Sequence, residues 1–154
     1  MIVTPKELDF LSIYKIVKDS SPLGNKLKIE VGNGKVKYSQ KTELSFLTTE
    51  KENEDLTEEF DLLIDLDSFV NFISSVGKDE KITISKTGVS LSKDNHYNFE
   101  NFTLAFPNVN DILKMVEDSK STATSLVIND IDKLNVIKQF VGKDTLETVA
   151  LLKG

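Results

Sequence analysis

The sequence predicts an α+β domain in which helices pack on one face of antiparallel sheets. Three observations predict it. Two candidate helices carry apolar residues on one side only, the strands between them alternate apolar and polar residues, and Gly-containing turns join those strands as hairpins. A helix with a single apolar stripe and a strand with a single apolar face each need a partner layer, and the economical solution is helix on sheet.

The first helix is expected over Thr4 to Lys18. Pro5 suits its first turn and Thr4 its cap, while Phe10, Ile13, Tyr14 and Val17 form a stripe that Leu8 and Leu11 widen. After Ser20-Ser21-Pro22-Leu23-Gly24, Leu27, Ile29 and Val31 alternate with polar residues, and Val36 and Tyr38 resume the alternation beyond Gly32-Asn33-Gly34. Asn-Gly between two such segments is a hairpin signal. A third strand is expected from Glu43 to Thr48.

Seven carboxylates and one lysine, Lys51, fall between Glu50 and Asp61, which reads as a solvated connection. Asp61 to Leu66 is then an apolar strand, with Asp67 placed to cap a helix whose buried face is Phe69, Val70, Phe72, Ile73 and Val76 and which Gly77 ends. Ile82 and Ile84 alternate into Lys86-Thr87-Gly88, and Val89 and Leu91 alternate out, a second hairpin. Asp94-Asn95 marks a turn, and Tyr97 to Phe106 a strand ending at Pro107.

The two stretches share one order of parts, a short strand, a helix, a hairpin and a third strand, so the chain contains an internal repeat, about 1–49 and 60–106, joined by the acidic segment 50–59. The run from Ile64 through Val76-Gly77-Lys78-Asp79 has a further echo from Ile128 through Val141-Gly142-Lys143-Asp144, leading to a strand at Thr148 to Leu152. The domain assignment is 1–118, a linker at 119–125, and the incomplete start of a second, similar domain at 126–154. Such a fragment cannot bury its own apolar face, so it leans on the preceding domain, on another chain or on further residues of a longer protein. Unfinished strands there predict pairing with another copy and a homo-oligomer.

Composition narrows the chemistry. With no Cys and one His in 154 residues, structural zinc, iron–sulfur clusters and thiol nucleophiles are excluded as classes. The longest apolar runs fall far short of the ~20 residues of a membrane span, and no secretory signal is apparent. A soluble, cytoplasmic protein without cofactor is expected. All 19 basic residues are lysine, so the planar fork that reads guanine edges is missing, and the net charge of −6 argues against bulk electrostatic affinity for nucleic acid.

No convincing catalytic site emerges. Asp61, Asp65 and Asp67 share a face of an extended strand and have the chemistry for Mg²⁺ or Ca²⁺, but a helix cap explains Asp67, and its counterpart Asp132, without a metal. His96, in a turn between strands, has no Ser or Asp beside it that completes a triad pattern. Gly32-Asn33-Gly34-Lys35 lacks the phosphate-loop spacing and sits between strands, as a hairpin turn does.

More informative is the Lys-Asp pair expected at the end of three helices: Lys18-Asp19, Lys78-Asp79 and Lys143-Asp144. A lysine there complements the negative helix end by ~0.3–1 kcal/mol, which is a sufficient structural reason for it. If the repeats are related by rotation, the same lysines, with Lys15 and Lys138, line one surface of an otherwise acidic protein.

The order of parts, with Phe60-Asp61-Leu62-Leu63-Ile64 opening the second half, Lys81-Ile82-Thr83-Ile84 leading into Val89-Ser90-Leu91, and Phe102-Thr103-Leu104-Ala105-Phe106-Pro107-Asn108-Val109 closing it, resembles the DNA sliding clamps of bacteria and their phages. The resemblance implies a non-enzymatic ring of six such domains around duplex DNA, helices lining the hole, that tethers DNA polymerase and is opened by a clamp loader. It makes Lys15, Lys18, Lys78, Lys138 and Lys143 candidate phosphate contacts. A family member carries two or three complete domains, so this sequence is expected to be part of a longer protein or a shortened relative. The alternative is a protein-interaction module derived from a clamp domain that does not encircle DNA.

Overall fold

Two sheets exchange their leading strands. In the computed structural model, which describes residues 1–91, 96–97, 100–118 and 149–153, β1 (Ile2–Val3) does not join the strands that follow it. It pairs instead with β6 (Ile82–Ser85), at the head of a four-stranded sheet continued by β7 (Gly88–Ser90) and β8 (His96–Tyr97). Reciprocally, β5 (Phe60–Asp65) heads the sheet formed by β2 (Lys26–Gly32), β3 (Lys35–Lys41) and β4 (Ser45–Glu52). Each sheet therefore depends on a strand from the other half of the chain. The antiparallel sheets and accompanying helices place the domain in the α+β class.

The helix expected over Thr4 to Lys18 is in fact two pieces, a 3₁₀ turn at Pro5–Leu8 and helix α1 at Leu11–Val17. Thr4 caps the turn through its backbone: its N–H donates to Glu7 Oε2 at 2.7 Å. The break lets Phe10 turn inward, edge-on to Tyr14 and Tyr38 at centroid distances of 5.8 and 5.0 Å. Helix α2 spans Leu66–Ser74 and begins without a loop after β5. Its cap is Asp65, not Asp67: Asp65 keeps extended backbone angles and accepts from Ser68 N–H at 2.8 Å, leaving Asp67 within the first turn.

The β2–β3 hairpin turns on Asn33 and Gly34, both with positive φ (54° and 70°), as a two-residue turn of this hand requires. Strand β4 starts later and runs further than expected, because Glu50 reaches Lys35 and Lys37 across the sheet at 3.2 and 3.8 Å. Part of the acidic connection is thus strand. His96 lies in β8 opposite Ser90 rather than in a turn.

Of the strand expected from Tyr97 to Phe106, Tyr97 lies in β8, and among its other described residues, 100–106, none is in a strand. Residues 100–108 form no helix or strand and cross to the other sheet, where Phe102 N–H donates to Leu63 O at 2.8 Å and the Phe106 ring lies 6.5 Å from that of Phe46. Leu63 and Phe46 are buried apolar residues outside the main core cluster, and this segment helps to cover them. Helix α3 (Val109–Asp118), which the sequence reading did not foresee, follows Pro107. Strand β9 (Val149–Lys153) pairs parallel with β4 of its own chain. The linker at 119–125 and the rest of the third echo lie outside the described residues.

Leu27, Ile29, Tyr38, Ile64, Phe69, Ile82 and Ile84, drawn from both sheets and α2, are almost completely buried in one continuous core. Inside it, Tyr14 Oη donates to Tyr38 O at 2.8 Å and meets Thr49 Oγ1 at 2.7 Å. Burial holds the Tyr14 hydroxyl well above the usual phenol range. Gln40 Nε2 bridges Tyr14 O and Gly24 O at 3.0 and 3.1 Å, fastening the end of α1 to the loop that follows it.

Candidate nucleic-acid interface

The sequence singles out five lysines, and the structure describes three of them. Helices α1 and α2 lie side by side, with the end of α1 against the start of α2. Lys18 occupies the C-terminal cap of α1, where its charge complements the helix dipole, and its Nζ approaches Asp67 Oδ2 at 2.6 Å. With both side chains about one-third exposed, this ammonium is committed to a carboxylate.

Lys78 is not at the equivalent place. Helix α2 is capped at Ser75, and Lys78 follows in the exposed turn beyond Gly77. Its carbonyl accepts from Lys6 N–H at 3.2 Å, which puts it beside the 3₁₀ turn, at the opposite end of the helix pair from Lys18. The two residues expected to be equivalent are therefore not brought together. A matching contact, Leu66 N–H to Asn25 O at 2.9 Å, ties the start of α2 to the residue before β2.

Lys15 is exposed between them, beside a groove of about 420 Å³ whose floor is Leu8, Leu11, Ile16, Val70 and Ile73. The other exposed positions of the helix pair are Ser12, Ser68, Asn71 and Ser74, neutral side chains that sequence reasoning passed over. Their spacing on the outward side of each helix was legible, but nothing in a serine marks it as more than solvated surface. Lys138 and Lys143 lie outside the described residues.

The carboxylates considered for a metal have lysine partners: Lys26 Nζ to Asp65 Oδ2 at 3.8 Å and Lys28 Nζ to Asp61 Oδ2 at 4.0 Å, both across the β2–β5 ladder. Glu30, opposite Asp61 in the β2–β5 ladder, has its carboxyl pushed up, chiefly by burial and then by Asp61, against the opposing pull of Lys28 and Lys37. Among the described residues, no helix is long and apolar enough to cross a membrane.

The fold is that of a sliding-clamp domain. The solved structures it resembles include the beta clamp of Helicobacter pylori bound to a DNA ligase peptide, with a TM-score of 0.56 and 14% identity over 71% of this chain and 34% of that one. The DNA polymerase III subunit beta from Pseudomonas aeruginosa aligns with a TM-score of 0.58 and 13% identity over 84% of this chain and 40% of that one. The sliding clamp from Pseudomonas aeruginosa with ligand gives the same values. This chain thus spans two fifths or less of the length of the clamps it matches. No sequence-family model and no curated protein matches it.

Proposed function

We propose that this chain is a sliding-clamp subunit or part of one, a non-enzymatic domain that contributes to a ring around duplex DNA and tethers a DNA polymerase placed there by a loader. The observation that carries the reading is the exchange of β1 and β5 between sheets with two helices side by side, in a fold that aligns with bacterial clamps. The same exchange supports a domain made of two copied units, since each leading strand meets the other unit's hairpin and each helical segment starts against the segment preceding that hairpin.

Encirclement needs topology rather than tight binding, and a nearly neutral helix face bearing Lys15, with Lys78 at its end, suits weak, sliding contact with phosphates. Lys15 and Lys78 are the described lysines proposed for that contact; Lys138 and Lys143 are proposed with them from sequence, and Lys18 in a supporting place behind Asp67. The test is retention on nicked circular duplex DNA in the presence of its loader. Release when the circle is cut to a linear form supports a ring, whereas equal retention on both forms, or on neither, overturns it.

The scarcity of cations on the described helix face also favours a second reading, a clamp-derived interaction module that does not encircle DNA. Polymerase stimulation that does not depend on circular topology would favour that reading.

A further inference from the structure

Helix α2 starts with two aspartates, and one of them is enough to begin it. Asp65 caps the helix, accepting from Ser68 N–H at 2.8 Å, and its charge already meets the positive end of the helix dipole. Asp67 takes no part in that cap. Its Oδ2 accepts from Lys18 Nζ at 2.6 Å, while its Oδ1 is buried and meets no hydrogen-bond donor among the described residues. An oxygen left in that state costs stability, and an ion pair about one-third exposed returns little of it. As a tie between the helices, Asp67 is therefore poorly arranged. As a means of cancelling the charge of Lys18 it is complete. Lys15 and Lys78, the other described lysines proposed to meet DNA, are exposed and have no ion pair among the described residues. Of three cations spread along the helix pair, one is neutralised.

We infer that Asp67 limits DNA contact: it keeps Lys18 from duplex phosphates and so sets how weakly the helix face holds DNA. The inference rests on the sliding-clamp reading and adds to it a residue that weakens the contact instead of making it. Each lysine that neutralises a phosphate releases a counterion and tightens the hold, which opposes sliding. Lys18 gains little by moving from Asp67 to a phosphate, because one anion replaces another and a half-buried carboxylate is left uncompensated beside a polyanion. Removing the carboxylate, by contrast, leaves the ammonium at the end of α1 with a phosphate as its best partner.

The experiment measures retention of the full chain on nicked circular duplex DNA, with its loader, over a salt series. Asp67→Asn is retained longer than the parent at low salt, and its log–log slope is steeper by about 0.9, so that a fourfold rise in salt costs it about 3.5-fold more retention than the parent loses. Adding Lys18→Gln to Asp67→Asn returns the slope to the parent's, which a merely structural role for Asp67 would not do. Asp9→Asn serves as the control for net charge. Asp9 is exposed beside the groove that Lys15 borders and has no ion pair among the described residues, so its loss changes the total charge equally, releases no lysine and leaves the slope unchanged. Should Asp67→Asn fail to fold, Asp67→Ser, which also suits the start of a helix, takes its place with the same expected slope. A parent that is retained, with an unchanged slope in the Asp67 variant, overturns the inference and leaves the clamp reading standing. So does an equal gain from Asp9→Asn, or a gain that survives Lys18→Gln. A parent retained on neither circular nor linear DNA overturns the clamp reading, and the inference with it.

Discussion

Lys18 Nζ and Asp67 Oδ2 stand 2.6 Å apart and join the last turn of α1 to the first turn of α2, two helices whose sequences lie on either side of the acidic connection. The pair spans the two halves of the domain on its helical side, as the exchanged β1 and β5 span them in the sheets. Asp67 also lies where a negative charge favours a helix start.

Replacing Lys18 by Met or Asp67 by Asn is therefore expected to lower stability, and the double variant to lose less than the sum of the two. Because both groups are about one-third exposed, the coupling expected from a denaturant double-mutant cycle is ~0.5 kcal/mol, shrinking in high salt. Strict additivity of the two losses would show that the contact contributes nothing.

Gly24 is expected to tolerate no side chain. A Cβ there would collide with the Asp19 carboxylate and come within 2.6 Å of the Asp19 backbone oxygen. Asp19 cannot move aside easily, because one carboxylate oxygen holds Ser21 N–H at 3.0 Å and the other holds Glu43 N–H at 2.9 Å. Gly24→Ala should cost ~1–3 kcal/mol, the range for forced overpacking, read as a lower urea midpoint at unchanged slope.

Much of this fold was legible in the chain, and the failures have physical causes. Hairpins announced themselves because Asn33-Gly34 supplies the positive φ that the turn demands, and both helices showed stripes that the core later fills with Tyr14 and Phe69. The exchange of β1 and β5 was not legible, since periodicity says which face of a strand is buried but not which strand lies beside it. Asp65 and Asp67 both suit a cap, and the choice between them depends on β5 running straight into α2. Tyr97 to Phe106 read as a strand, yet its Phe102 and Phe106 serve the outward face of the other sheet. For the candidate interface, lysines at helix ends could be read from sequence, whereas the Asp67 partner of Lys18 and the displacement of Lys78 past the helix end could not.

Glu30 gives a pH-dependent expectation. Its pKa is raised in the fold, first by burial and then by Asp61, so the folded state holds this proton more tightly than the unfolded chain does. Stability from the protonated form is fully present below the unfolded carboxylate value and is lost as pH rises through the higher folded value. At neutral pH, Glu30→Gln should then stabilise the domain by up to about 0.5 kcal/mol, the scale of partly exposed substitutions, and the advantage should vanish in acid. Urea midpoints of parent and variant measured at neutral and acidic pH decide it; a gain that persists unchanged in acid would assign it to packing instead.

Lys15 and Lys78 provide the functional test of the helix face. Both are exposed, Lys15 beside the groove between the helices and Lys78 in the turn past α2, while Lys18 has Asp67 within reach. If the two exposed lysines touch phosphates as a ring slides, changing either to Gln should reduce the salt dependence of DNA retention by about one counterion-release step, a change near 0.9 in the log–log slope. Lys18→Gln should leave that slope unchanged while lowering stability through its lost partner. Retention on nicked circles, measured over a salt series with each variant's melting midpoint recorded alongside, separates these outcomes. Equal slopes for the parent, Lys15→Gln and Lys78→Gln would remove these lysines from the interface. A reduced slope for Lys18→Gln alone would show that Asp67 yields Lys18 when DNA is present.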